Sequence, residues 1–199
     1  MGGSDGTAGA EYAARMKRLA AIWWKRVLPV QAPYRWNIRR LCEGRTLEVG
    51  CGAGRNLEHL RDRAAGVDHN LELVEEARRR GLRAYTVEEF LAGEVAVLAS
   101  FDSLLFAHVL EHMHRSEAVD LVEEYLPYLR PGGRVVAITP QERGFASDPT
   151  HVEFLDENSV SEILEATGTR VERTFSFPFP RWAGGLFTYN ESVTVGKLA

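Results

Sequence analysis

The stretch LEVGCGAGRN, residues 47–56, decides the fold. TLEV, at 46–49, is a short apolar run of strand length, and Gly50, Gly52 and Gly54 follow it directly. Glycines at those positions permit a tight turn and close approach of backbone to a ligand. Leu57 and Leu60 then open a helical spacing, so the unit reads strand, turn, helix. Its turn stands at the carboxyl end of the strand, where doubly wound folds bind their ligands. A dinucleotide loop requires G-x-G-x-x-G; counted from Gly50, the sixth position is Arg55 and the third glycine arrives one residue early. No Gly-Lys-Ser/Thr follows, which excludes a nucleoside-triphosphate loop.

Working outward, strand and helix patterns alternate from residue 45 onward. AAGVD (64–68) reads as a second strand, and Leu71, Val74 and Ala77 mark one face of a helix over 70–80. That helix closes on three arginines, 78–80, and stops at Gly81. LRAYTV (82–87) reads as a third strand, and SFDSLLFAHV (100–109) contains a fourth. A helix over 116–129 leads to the turn Pro131-Gly132-Gly133 and a fifth strand, RVVAIT (134–139). A helix over 157–167 stops at Gly168; TRVERTFSF and SVTVGKL then read as a closing strand pair around the aromatic, Pro-rich FPFPRWAGGLFTY. Regular βα alternation implies a parallel sheet with helices on both faces. The expected fold class is therefore α/β: a Rossmann-like, doubly wound, seven-stranded sheet, mostly parallel with an antiparallel last strand. Ahead of it, Tyr12, Met16, Leu19, Trp23 and Val27 form one stripe of a helix over 9–28, ended by Pro29, and a shorter helix follows Pro33. We expect a disordered tail at 1–8, an N-terminal helical cap or lid at 9–41 and a ligand-binding domain at 42–199.

Composition narrows the function. The 199 residues are 45% apolar and 26% charged, ordinary globular values that suit one domain. No apolar run approaches the roughly 20 residues that span a bilayer, and no secretory signal opens the chain. Gly6 stands where a myristoylation motif wants Ser or Thr. Two cysteines, Cys42 and Cys51, make no disulfide framework, so free thiols and a cytoplasmic location are expected. Net charge is −4; residues 1–45 carry nine Lys/Arg against three Asp/Glu, leaving fifteen against twenty-five in the body. So acidic a body argues against a dedicated nucleic-acid partner. No stable membrane insertion is expected either.

The chain resembles the class I S-adenosylmethionine-dependent methyltransferases, in particular the methyltransferase type 11-like family. E-x-G-x-G-x-G after the first strand is similar to that family's first motif, and the match continues in order through GVDHN, Glu88-Glu89-Phe90, SFDSLLFAHVLEHM and LRPGGRVVAITP, over about residues 40–195. The resemblance implies S-adenosyl-L-methionine as cofactor, held by Glu48, Gly50, Cys51, Gly52, Gly54, Asp68, His69, Glu88, Glu89, Phe90, Ala107 and His108. Within that set it makes Asp68 the ribose acid and puts adenine near 88–90. A carboxylate at Asp68 can accept hydrogen bonds from both ribose hydroxyls, each contributing roughly 1.5–3 kcal/mol; Glu48 can hold the methionine ammonium. Cys51 reads as a small, packed turn residue.

Methyl transfer needs alignment, water exclusion and, for an oxygen or nitrogen acceptor, a base. His108, at the end of the fourth strand, is the first base candidate; His151, in DPTH (148–151), is the second. Trp24, Trp36, Asp148 and Trp182 are candidates for the acceptor wall. No [DNS]-P-P-[YF] follows the fourth strand, so an exocyclic-amine nucleic-acid methyltransferase is not expected. The expected acceptor is a small molecule (a sugar, lipid or natural-product intermediate) and the expected state a monomer or homodimer. Two other readings compete. One is a cofactor-binding domain without catalysis. The other is a zinc hydrolase on His108-x-x-Glu111-His112, which matches H-x-x-E-H but directly follows an apolar strand; no metal is expected there.

Overall fold

The structure, a computed structural model, describes residues 31–199. The expected tail, the helix over 9–28 and Trp24 lie outside the described residues.

The sheet has seven strands: β1 (Thr46–Val49), β2 (Ala64–Val67), β3 (Ala84–Tyr85), β4 (Phe101–Ala107), β5 (Leu129–Pro140), β6 (Thr169–Phe177) and β7 (Glu191–Leu198). They lie in the order β3-β2-β1-β4-β5-β7-β6. The first five run parallel; β7 is antiparallel to both β5 and β6. Parallel strands covered on both faces read as unbroken apolar runs, and β1 and β2 are buried at every position. Alternation along β4 divides the core. Leu104 and Phe106 join Phe90, Tyr125 and Ile163 on one face, while Leu105 and Ala107 join Leu41, Leu57 and Val74 on the other.

Seven helices are described: α1 (Ala32–Leu41), α2 (Arg55–Leu60), α3 (Leu71–Arg79), α4 (Val87–Ala92), α5 (Arg115–Tyr125), α6 (Glu142–Phe145) and α7 (Glu157–Ala166). Local chemistry sets their starts. Pro33 sits in the first turn of α1, Asn70 caps α3 by accepting from Leu73 N–H, and Asp156 caps α7 by accepting from Ser159 N–H.

Three boundaries differ from expectation. The strand expected over 82–87 shrinks to Ala84–Tyr85, because Thr86 and Glu89 close a capping box and turn the chain into α4. The helix expected over 116–129 stops at Tyr125, ahead of a 3-10 turn over Leu126–Tyr128 that contains Pro127. β5 begins at Leu129, not 134, because the Pro-Gly-Gly segment stays in the strand, with a register shift against β4. The strand order reverses between β1 and β4, so the crevice for a ligand opens at their carboxyl ends.

Candidate functional site

The turn after β1 is built to leave backbone exposed. Gly52 has φ +52°, and a Cβ built there would meet nothing within 4 Å, so this part of the loop faces open space. Gly54 has φ +80° and starts α2 under pressure, since a Cβ would lie 2.5 Å from Leu82 Cδ1. Gly50 N–H and Cys51 N–H both donate to Val67 O, tying the turn to β2. Cys51 is buried, its Sγ 2.6 Å from where a Gly66 Cβ would stand, so glycine at 66 makes the room the thiol fills.

Two carboxylates face this turn from adjacent strands. Asp68, at the tip of β2, accepts from Gly52 N–H at 2.7 Å through Oδ2 and from Asn70 N–H at 2.8 Å through Oδ1. Each carboxylate oxygen accepts more than one hydrogen bond, so these bonds orient the group without exhausting it. Glu48, in β1, is 1% exposed. Its Oε1 accepts from Asn56 Nδ2 at 2.7 Å, while Oε2 is buried without a partner among the described residues. Burial drives its carboxyl up to about 8, against the opposing hydrogen bond from Asn56. A buried acceptor left open in this way fits a cationic ligand group.

His108 follows β4 with φ +58°, and its N–H donates to Ile138 O at 2.9 Å. Its ring stands between two carboxylates: Nε2 is 2.9 Å from Glu191 Oε1 and Nδ1 is 3.3 Å from Glu111 Oε1. Burial alone would lower its pKa, but the two carboxylates outweigh it and hold the ring at about 9. At neutral pH the ring is therefore a cation. An imidazolium has no lone pair to accept a proton, so a base role for His108 would require the ring to release its proton first. A pocket on this side is lined by Tyr34, Asn37, Arg55, Asn56, Ala107, His108, Ile138 and Glu191. Tyr34 O–H donates to Tyr189 O at 2.7 Å and joins α1 to the segment before β7.

The residues assigned to adenine divide. His69 is half exposed beside Asp68. Glu88 is exposed, and Glu89 is held by Arg78 and by the Thr86 cap, which lowers its carboxyl below the usual range. Phe90 is fully buried, its ring 4.9 Å from Tyr128 and 6.0 Å from Tyr125, so it belongs to the core. Its apolar bulk, at the fourth position of a capped helix, packs into the core cluster with Tyr125 and Tyr128.

Of the acceptor-wall candidates, Trp36 is exposed under Arg40, whose guanidinium carbon lies 4.6 Å from its ring, and Trp182 is 73% exposed. Asp148 closes a turn with Thr150, accepting from its N–H at 3.0 Å and its O–H at 2.7 Å. His151 Nδ1 lies 2.7 Å from Phe145 O, which makes it a donor to that carbonyl. The grouping His108-x-x-Glu111-His112 does not assemble as the hydrolase reading requires: a 3-10 turn over Leu110–His112 replaces helix, and His108 turns to Glu191. Glu111 and His112 instead meet His151. Asn37, Arg55, Asn56 and Glu191 were missed as site residues. Asn56 had a signal, its place eight residues after Glu48 within the glycine motif; Glu191 had none locally, since only the pairing Pro140↔Glu191 of β5 and β7 brings it here.

No helix among the described residues is long and apolar enough to cross a membrane. A family model described as a methyltransferase domain matches residues 47–137. An uncharacterized 37.1 kDa protein in transposon TN4556 of Streptomyces fradiae is 35% identical over 104 residues, which cover 47% of this chain and 29% of that protein. The chain thus spans less than a third of that relative's length. An S-adenosylmethionine-dependent methyltransferase from Archaeoglobus fulgidus superposes with a TM-score of 0.67 at 18% identity, over 84% of this chain and 92% of that one. The magnesium protoporphyrin IX methyltransferase of Synechocystis PCC 6803, solved with bound S-adenosylhomocysteine, superposes with a TM-score of 0.60 at 16% identity, over 85% of each chain. Residues 47–137 thus match a methyltransferase-domain family model, and the chain shares its fold with S-adenosylmethionine-dependent methyltransferases of known structure.

Proposed function

We propose that this chain transfers the methyl group of S-adenosylmethionine to a small-molecule acceptor bound between α1, β4 and the segment preceding β7. The observation that carries the reading is the buried, unpartnered Oε2 of Glu48 beside an exposed glycine turn and an oriented Asp68. Glu48 would take the methionine ammonium, Asp68 the ribose hydroxyls, and the Gly52 region would lie against the ligand. When bound, the cofactor supplies an electrophilic methyl on a sulfonium. The chain's own task is then to align an acceptor and exclude water. Tyr34, Asn37 and His108 line a small cavity of about 10 Å³ against which an acceptor would sit. Held as a cation between Glu111 and Glu191, His108 puts positive charge beside that space at neutral pH. Trp36 and Trp182 offer apolar surface on the flanking elements, α1 and the turn over Arg181–Gly185.

Isothermal titration calorimetry of the full chain with S-adenosylmethionine and S-adenosylhomocysteine tests this. Asp68→Ala should weaken binding about 10-fold or more, a loss of at least ~1.4 kcal/mol. No binding to the unmodified chain at millimolar cofactor overturns the proposal. Release of S-adenosylhomocysteine across a panel of sugar, lipid and natural-product acceptors separates an enzyme from a domain that binds the cofactor without turnover.

A further inference from the structure

We infer that Glu111, His112 and His151 form a divalent-metal site, of a two-histidine, one-carboxylate type suited to zinc. The three come from two segments some 40 residues apart: the 3-10 turn after β4 and the loop after β5. Their ligand atoms lie within 4.8 Å of one another. The backbone fixes the juxtaposition, since Val152 N–H and Glu153 N–H both donate to Glu111 O, at 2.8 and 3.3 Å.

Glu111 keeps buried acceptor capacity open toward the two histidines. It is 0% exposed, and among the described residues neither carboxylate oxygen has an aligned hydrogen-bond donor. His108 Nδ1 approaches Oε1 at 3.3 Å and His151 Nε2 stands 4.0 Å from the same oxygen, so Oε2 is the oxygen left open. A buried carboxylate is costly unless it is paired, hydrogen-bonded or metal-bound, and His108 reaches only Oε1, so metal coordination at Oε2 would offset the remainder.

The two histidines are oriented as metal ligands are. Ligating imidazoles commonly donate their other ring N–H to a carbonyl or carboxylate, which fixes the tautomer. His151 Nδ1 donates to Phe145 O at 2.7 Å, and His112 Nδ1 to Thr150 O at 3.1 Å. A carbonyl only accepts, so the proton sits on Nδ1 in both rings and coordination would use Nε2. Thr150 supports this: its hydroxyl donates to Asp148 at 2.7 Å and presents a lone pair to His112 Nδ1 at 3.2 Å. The DPTH segment thereby acquires a structural purpose, Asp148 holding Thr150 and Thr150 holding His112, with His151 as a ligand.

Zinc bonds of about 2.0–2.2 Å in tetrahedral geometry place ligand atoms roughly 3.3–3.5 Å apart, so closure from the observed spacing takes side-chain shifts of about an ångström. Imidazole and carboxylate donors suit zinc over magnesium or calcium. Three protein ligands leave a fourth position for water or an acceptor oxygen. The site stands independently of the methyltransferase reading.

The test uses the full chain, stripped with chelator and desalted, then titrated with zinc chloride by calorimetry and checked by elemental analysis. All six histidines lie in the described residues, and residues 1–30 contain neither His nor Cys. We expect about one zinc per chain, and with cobalt the visible absorption of a tetrahedral nitrogen–oxygen site. His112→Gln, His151→Gln and Glu111→Gln should each reduce uptake at least 10-fold, while His59→Gln and His114→Gln leave it unchanged. The wild-type cobalt spectrum decides even where a variant fails to fold. No zinc uptake by the folded protein at ~100 μM zinc, or equal uptake by the doubly substituted His112→Gln/His151→Gln chain, overturns the inference.

Discussion

Glu48→Gln should stabilise this protein in proportion to pH while weakening its hold on the cofactor. The carboxyl is 1% exposed and titrates at about 8, against 4.5 ordinarily, because burial penalises its charged form. Between those values the folded state keeps a proton that the unfolded chain has released. Stability therefore falls as pH rises, by ~1.4 kcal/mol per pH unit, and levels off above the folded value. From about pH 5 to pH 9 the wild type should lose ~4 kcal/mol through this one group, a large share of the roughly 5–15 kcal/mol that holds a domain together.

Glutamine keeps the acceptor for Asn56 and has no proton to lose. Any cost of burying its amide is independent of pH and cancels when differences across pH are taken. Urea unfolding followed by circular dichroism, for both proteins at about pH 5, 7 and 9, gives the difference directly. The expected result is a variant that gains ~4 kcal/mol on the wild type between the extremes. Its affinity for S-adenosylmethionine should fall most above about pH 8, where the wild-type carboxyl is ionised and can pair with an ammonium as a neutral amide cannot. A stability difference that stays flat with pH refutes the reasoning: the carboxyl would then titrate normally and could not be the buried, open acceptor described above.

Two further substitutions probe the same crevice from either side. Gly54→Ala should destabilise by more than ~1 kcal/mol, since its φ of +80° strains an L-residue and its Cβ would press on Leu82 at 2.5 Å; a melting temperature equal to wild type counts against the turn geometry. In Glu191→Gln the His108 ring should titrate at least about one pH unit below its value of about 9, followed by the ring signals in NMR, because one of two flanking carboxylates is gone; an unmoved midpoint means that the 2.9 Å pair does not hold the ring's charge.

The parts of this protein that were legible in its sequence are those whose cause is local. A four-residue apolar run, three glycines and a helical spacing specify the β1 turn without reference to anything distant, and the carboxylate at the tip of β2 follows from the next βα unit. Errors at the boundaries were also local, but arose where two signals competed. LRAYTV has strand propensity throughout, and the capping box of Thr86 with Glu89 overrode its last residues, carrying Phe90 into the core. His108 shows the limit more sharply. Its position at the end of β4 was readable, yet its charge state was not, because Glu191, which joins Glu111 in setting it, lies 83 residues away and is delivered by antiparallel pairing of β7 with β5. The same holds for the H-x-x-E-H string. Read along the chain it pairs His108 with His112 around Glu111. In space His151 of DPTH joins Glu111 and His112, and His108 bridges Glu111 and Glu191. Spacing predicts which side chains share a helix face only while the helix exists; once a 3-10 turn replaces it, partners are chosen by whichever loop packs across the sheet end.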